Sequence, residues 1–246
     1  MSLNNVFPFI STLIMFSFTV VVLQRYAARR SPHFLFWGIG LAMFGAGSFA
    51  EAYLAIAWNK WVFFVWYLFG AALNAGWIGH GTMYLLSRKK WVHVLTAILV
   101  FGSIITTMLM LQVMPKLDES QFTPAISIGE QYRFIMPSVQ DGATVRLTTP
   151  FFNIYGLVTL VGGALWSAFL FWRKRILPNR VIGNVLIAAG ALSIGFASTL
   201  TRLGYGSLLY VGELLAAILM FAGFLTAAAP QPDESPALSV ATSTAD

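Results

Sequence analysis

Cysteine is absent from the 246 residues. That removes disulfides, thiolate metal sites, covalent haem attachment and a cysteine nucleophile. Charge is scarce as well. Asp, Glu, Lys and Arg make up 10% of the chain, where soluble domains carry about a quarter. Only three histidines occur, His33, His80 and His93, too few and too scattered to pair as haem ligands. The chain has no phosphate-binding Walker loop, no His-Glu-x-x-His zinc helix and no Gly-x-Ser-x-Gly elbow. Neither an enzyme nor a bound metal or cofactor is expected.

What the chain does have is apolar length. Hydrophobic residues make up 58% of it, gathered into seven runs: Val6–Leu23, Phe34–Ala57, Trp61–Leu86, Trp91–Val113, Phe151–Trp172, Ile182–Leu200 and Leu208–Ala228. Each is roughly 18–26 residues long, and about 20 helical residues cross a ~30 Å hydrocarbon core. The runs lack the alternation of barrel strands, and in lipid every backbone group must be satisfied internally. The expected fold is an all-α integral membrane protein, a seven-transmembrane-helix bundle over residues 1–229.

The net charge of +6 is explained by placement. Arg25, Arg29 and Arg30 follow the first run, Arg88, Lys89 and Lys90 the third, and Arg173, Lys174, Arg175 and Arg180 the fifth. By the positive-inside rule these links are cytoplasmic, which puts the N-terminus outside and the C-terminus inside a bacterial cytoplasmic membrane. Membrane orientation accounts for the basic residues, so no nucleic-acid partner is expected. The stretch before Val6 has no positive charge, so the first run reads as an anchor and not a cleaved leader. Trp37, Trp58, Trp61, Trp91 and Trp172 fall at run ends, as in an interfacial aromatic belt.

Residues 114–150 form the one long external link, expected either to be a small structured cap over the outer mouth of the bundle or to be a floppy loop. Within it Tyr132–Val139 and Ala143–Thr148 are rich in strand formers and flank Gln140-Asp141-Gly142, which predicts a hairpin. Residues 230–246, rich in proline, serine and acid, are expected to be a disordered cytoplasmic tail.

An internal repeat is visible. Gly40, Gly45 and Ser48 in the second run recur as Gly190, Gly195 and Ser198 in the sixth, at a constant offset of 150, which Arg30 and Arg180 share. Gly70 and Gly212 align at an offset of 142. Two parallel three-helix units joined by the fourth run are the expected plan, with these small residues letting helices pack closely. The plan and orientation are similar to those of the SWEET and PQ-loop carriers, which implies transport of a small solute. The chain departs from that family in having its single Pro-Gln pair, Pro230-Gln231, in the tail. Residues 66–86 (WYLFGAALNAGWIGHGTMYLL) resemble stretches of uncharacterised seven-helix bacterial membrane proteins, a likeness that implies no activity.

Ionisable groups within hydrocarbon mark candidate sites. Glu51 and Glu213 each lie roughly 10 Å below the outer surface, counted at 1.5 Å per residue, and Arg202 stands at the outer end of the sixth run. With Asn74 they are expected to line an outward-facing polar cavity. There one carboxyl could alternate between proton and substrate, or the three charges could form a structural ion-pair lock. His80 is expected to be hydrogen-bonded to a carbonyl, and Asn153 and Asn184 to bridge helices. No run holds a lysine in its interior, so no retinal Schiff base of the rhodopsin kind can form. Solute binding or transport is the leading expectation. The alternatives are an accessory subunit of a larger membrane complex and a sensory receptor acting through a partner. The lipid bilayer is the expected surround, with a small-molecule ligand and a membrane-protein partner or second copy as further candidates.

Overall fold

The computed structural model describes residues 3–87, 89–124, 126–203 and 205–229, without the side chains of residues 3–5, Arg202 and Ser207. The expected tail, 230–246, lies outside the described residues, as does Arg88. Among the described residues seven helices are long and apolar enough to cross a membrane, as the hydropathy predicts, and the chain is a polytopic membrane protein. The first two spans are α1 (Leu3–Arg29) and α2 (Pro32–Leu54). The third, Lys60–Leu86, is built of α3 (Lys60–Val65), a π-helical segment (Trp66–Leu73) and α4 (Asn74–Leu86). The fourth is α5 (Trp91–Val113), and the last three are α7 (Val145–Arg173), α8 (Pro178–Arg202) and α9 (Ser207–Ala228).

Local chemistry sets the helix starts. Pro32 and Pro178 open α2 and α8, where a missing N–H is no loss. Asn59 caps α3, its Oδ1 accepting from the amides of Trp61 at 2.9 Å and Val62 at 3.2 Å.

Six spans close a ring. α2 packs between α1 and the third span, α8 between α7 and α9, α4 abuts α7, and α9 returns to α1. Small residues permit these approaches. A Cβ on Gly47 would overlap Gly70 of the π-helical segment, one on Gly79 would overlap Gly156 of α7, and one on Gly183 would overlap Gly223 of α9. Gly40 and Gly190 likewise sit against the backbones of α4 and α9, at Ile78 and Met220. Gly195 differs from expectation: it is exposed, with only Leu157 near it, and Ser198 is half-buried. The face of α8 at Gly195 points out of the ring.

The fourth span stands outside the ring, touching α4, the π-helical segment and α7. Its outer residues, Ile98 and Phe101 among them, are exposed, as lipid-facing side chains are.

The predicted hairpin does not form. Residues 128–135 make a short helix, α6 (Ile128–Ile135), and Val145–Thr148 are already the first turn of α7. Ile128 and Ile135 sit two turns apart and bury one face of α6 against Trp66, Tyr67, Met110 and Val113, so helical periodicity overrides strand propensity. Buried Gln131 secures the preceding loop, accepting from the Thr123 amide (2.8 Å) and donating to the carbonyls of Thr123 (3.0 Å) and Ile126 (2.7 Å). The reversal survives as a turn, with Ser138 donating to Asp141 (2.6 Å) and Gly142 at φ 102°, a left-handed value glycine adopts without strain. Asp118, at the surface of this cap, accepts from the hydroxyl and amide of Ser120, which holds its carboxyl below the usual range.

Replacing Gly47 with Val should force α2 away from the third span and cost about 1–3 kcal/mol, the usual range for overpacking. Thermal unfolding in detergent should show a clear drop in Tm for Gly47→Val and none for Gly162→Val, whose Cβ would meet nothing within 4 Å. Equal midpoints would disprove a backbone contact at Gly47.

Candidate functional site

Glu51 and Glu213 meet. Glu51 lies one turn before the end of α2 and Glu213 in the second turn of α9, and they are 2% and 9% exposed. Their carboxyl groups are within hydrogen-bonding range of each other. Two carboxyl groups in contact share at least one hydrogen, one acting as a carboxylic acid that donates to the other. The Trp66 indole N–H, at the start of the π-helical segment, donates to Glu51 Oε1 at 2.8 Å. Oε2 of each glutamate has no other partner among the described residues.

Above the pair, toward the cap, the Tyr210 hydroxyl lies near the Ile128 amide. Beyond it Glu130 of α6 accepts from the Gly206 amide at 2.8 Å and from the Ser127 hydroxyl at 3.2 Å. A Cβ at Gly206 would overlap that carboxylate, so the glycine lets an acid settle on the positive start of α9. The cap is thereby fastened over the carboxyl pair.

The other expected members fare differently. The side chain of Arg202 lies outside the described residues. Asn74 is buried but turned onto its own helix, donating to the Gly70 carbonyl at 3.0 Å. Asn153 does bridge helices, donating from α7 to the Ala71 carbonyl of the π-helical segment at 3.0 Å. Ser48, one turn before Glu51, is buried with its hydroxyl unpartnered.

A cavity of about 50 Å³ lies elsewhere, among the six ring spans and nearer the end that carries the basic links. Its wall is mostly apolar, with Phe18, Trp37, Ile78 and Met220 prominent and Thr82, Ser167 and Asn184 as polar points. Glu51, Asn74 and Glu213 do not line it. The expected polar cavity is thus divided into an enclosed carboxyl pair under the cap and an apolar chamber deeper in the ring.

One constellation escapes sequence reading. His80 bonds two hydroxyls and no carbonyl: Tyr155 of α7 at Nδ1 (2.7 Å) and Thr96 of α5 at Nε2 (2.8 Å). Thr96 also meets the Tyr84 hydroxyl at 2.8 Å, and Tyr84 meets His93 Nδ1 at 2.9 Å. Trp77 adds a bond to Ser103 of α5 at 3.1 Å. Spacing along the chain gives no hint of these partners, because they come from three different spans. The network ties the outlying fourth span to the ring, where apolar packing alone drives little association in lipid.

Thr96→Val should leave His80 Nε2 without a partner and Tyr84 with His93 alone, and cost about 1–3 kcal/mol, the penalty for a buried polar group left unpaired. Hydrogen–deuterium exchange should rise along α5 while α8 and α9 keep their protection. Unchanged exchange in α5 would mean that packing, not this network, holds the span.

Comparison with protein-family models, with curated proteins and with solved structures finds no match to this chain.

Proposed function

We propose that this chain is a small-solute carrier of the bacterial cytoplasmic membrane, built of two parallel three-helix units around a central chamber. The supporting observation is how the chamber's wall divides. Phe18 and Leu160, Val22 and Ala164, Ile78 and Met220, and Thr82 and Phe224 are each separated by 142 residues, and Trp37 and Ile187 by 150. These are the offsets at which the glycines recur. Helix contacts follow the same rule: Gly40 against Ile78 has its counterpart in Gly190 against Met220, and Gly81 against Trp37 in Gly223 against Ile187. A chamber whose wall is contributed twice lies on a pseudo-twofold axis, where parallel repeats place a substrate site.

In this reading spans one to three form one unit, spans five to seven the other, and the peripheral fourth span reverses the chain between them. The basic links face the cytoplasm and the cap faces outward. Alternating access then requires the units to rock about the chamber, with the cap and carboxyl pair closing one end. The apolar wall with three polar points suits a small, largely apolar solute carrying few hydrogen-bonding groups.

The absence of cysteine makes a direct test available. Single cysteines at Ile78 and Met220 should react with a membrane-impermeant thiol reagent in both right-side-out and inside-out vesicles, since a carrier opens its chamber to each face in turn. Reaction from one face only, or from neither, would defeat the carrier reading. In intact cells a cysteine at Ser120 should be labelled and one at Lys89 protected, and the reverse pattern would invert the proposed orientation.

A further inference from the structure

Six buried side-chain atoms among the described residues lack a hydrogen-bond partner beyond the contact that Glu51 and Glu213 make with each other. Four are oxygens on three adjoining spans: Ser11 Oγ on α1, Ser48 Oγ and Glu51 Oε2 on α2, and Glu213 Oε2 on α9. Helix register brings them to one level. Leu23 lies against Gly38 and Phe16 against Gly45, so five residues further along these antiparallel helices Ser11 comes level with Ala50, between Ser48 and Glu51. On the other side Phe18 stacks on Phe221 at 5.0 Å and Arg25 lies over Phe224, with α1 and α9 running the same way. Seven residues back from Phe18 and Phe221 stand Ser11 and Leu214, the neighbour of Glu213.

Oxygens left without a partner in hydrocarbon are costly. Two carboxyls and two hydroxyls are also a hard donor set of the kind that binds alkali and alkaline-earth ions. We propose that Ser11, Ser48, Glu51 and Glu213 form a binding site for a dehydrated alkali cation of the sodium kind, taken up in exchange for the proton the carboxyl pair shares. One proton leaves as one cation enters, so the charge of the site is unchanged. A divalent ion would need six or more oxygens, or waters of its own, which four enclosed side-chain oxygens do not supply. The Trp66 indole stays on Glu51 Oε1 and fixes that carboxyl while its other oxygen turns to the cation. The remaining ionisable groups nearby are Tyr210, close to the Ile128 amide, and Glu130, engaged by Gly206 and Ser127. The side chain of Arg202 lies outside the described residues.

The site stands whether or not the chain carries a solute, because binding is read without transport. Purified full-length protein in detergent would be titrated with sodium, lithium, potassium, calcium or choline chloride at constant ionic strength, from pH 6 to pH 9. Thermal midpoint and the fluorescence difference between wild type and Trp66→Phe are the readouts. Sodium should raise the midpoint and change the Trp66 signal, with apparent affinity tightening as pH rises because protons compete. Glu51→Gln and Glu213→Gln should abolish the response, and Ser48→Ala, the variant least disturbing to folding, should weaken affinity roughly tenfold or more, as loss of a supporting ligand does. The proposal fails if sodium acts no differently from choline, if only calcium acts, if affinity is independent of pH, or if Ser48→Ala binds as wild type does.

Discussion

The bundle depends on backbone reaching backbone. Lipid chains are as apolar as leucine, so burying a leucine between two spans gains little over leaving it in the bilayer. Association therefore falls to van der Waals contact at close range and to hydrogen bonds that lipid cannot replace. Gly47 against Gly70, Gly79 against Gly156, and Gly183 against Gly223 remove the side chains that would hold the helices apart. These three crossings join span two to three, three to five, and six to seven.

Where glycine is sparse, polar side chains take over. The fourth span has few small residues facing the ring and is tethered instead through Thr96 and Ser103 to His80, Tyr84 and Trp77. The π-helical segment belongs to the same economy of buried polar groups. Gly70 within it meets Gly47, and Asn153 takes up the Ala71 carbonyl, a backbone group that hydrocarbon could not satisfy.

Features that depend on one dimension of the chain were legible in the sequence. Span length and hydropathy gave seven helices, and counting residues from the span ends put Glu51 and Glu213 at one depth, where the structure joins them. Features that depend on azimuth were not. Which way Asn74 turns, that Gly195 faces outward and that His80 finds Tyr155 all require knowing which helix lies beside which. The cap shows a different limit. Tyr132–Val139 is rich in strand formers, yet Ile128 and Ile135 had an apolar wall of Trp66, Met110 and Val113 to fill, and tertiary burial overrode local propensity.

The carboxyl pair and the apolar chamber pose opposite problems for one bundle. The chamber is lined by residues that recur at the repeat offsets, so on the two-unit reading it belongs to the shared frame of both halves. The carboxyls do not recur: at the same offsets Glu51 corresponds to Thr201 and Glu213 to Ala71. On the two-unit reading each unit thus contributes one acid at a place where its counterpart is uncharged, and the two acids still meet in one contact. A pair built in this way depends on the relative position of the two units. On that reading, rocking one unit against the other would pull the carboxyls apart and leave a carboxylate without the proton that had shielded it, at considerable cost in hydrocarbon. On the carrier reading proposed above, whatever satisfies those oxygens, proton or cation, would bias the same rearrangement that opens the chamber, coupling the polar contact under the cap to an apolar chamber it does not touch.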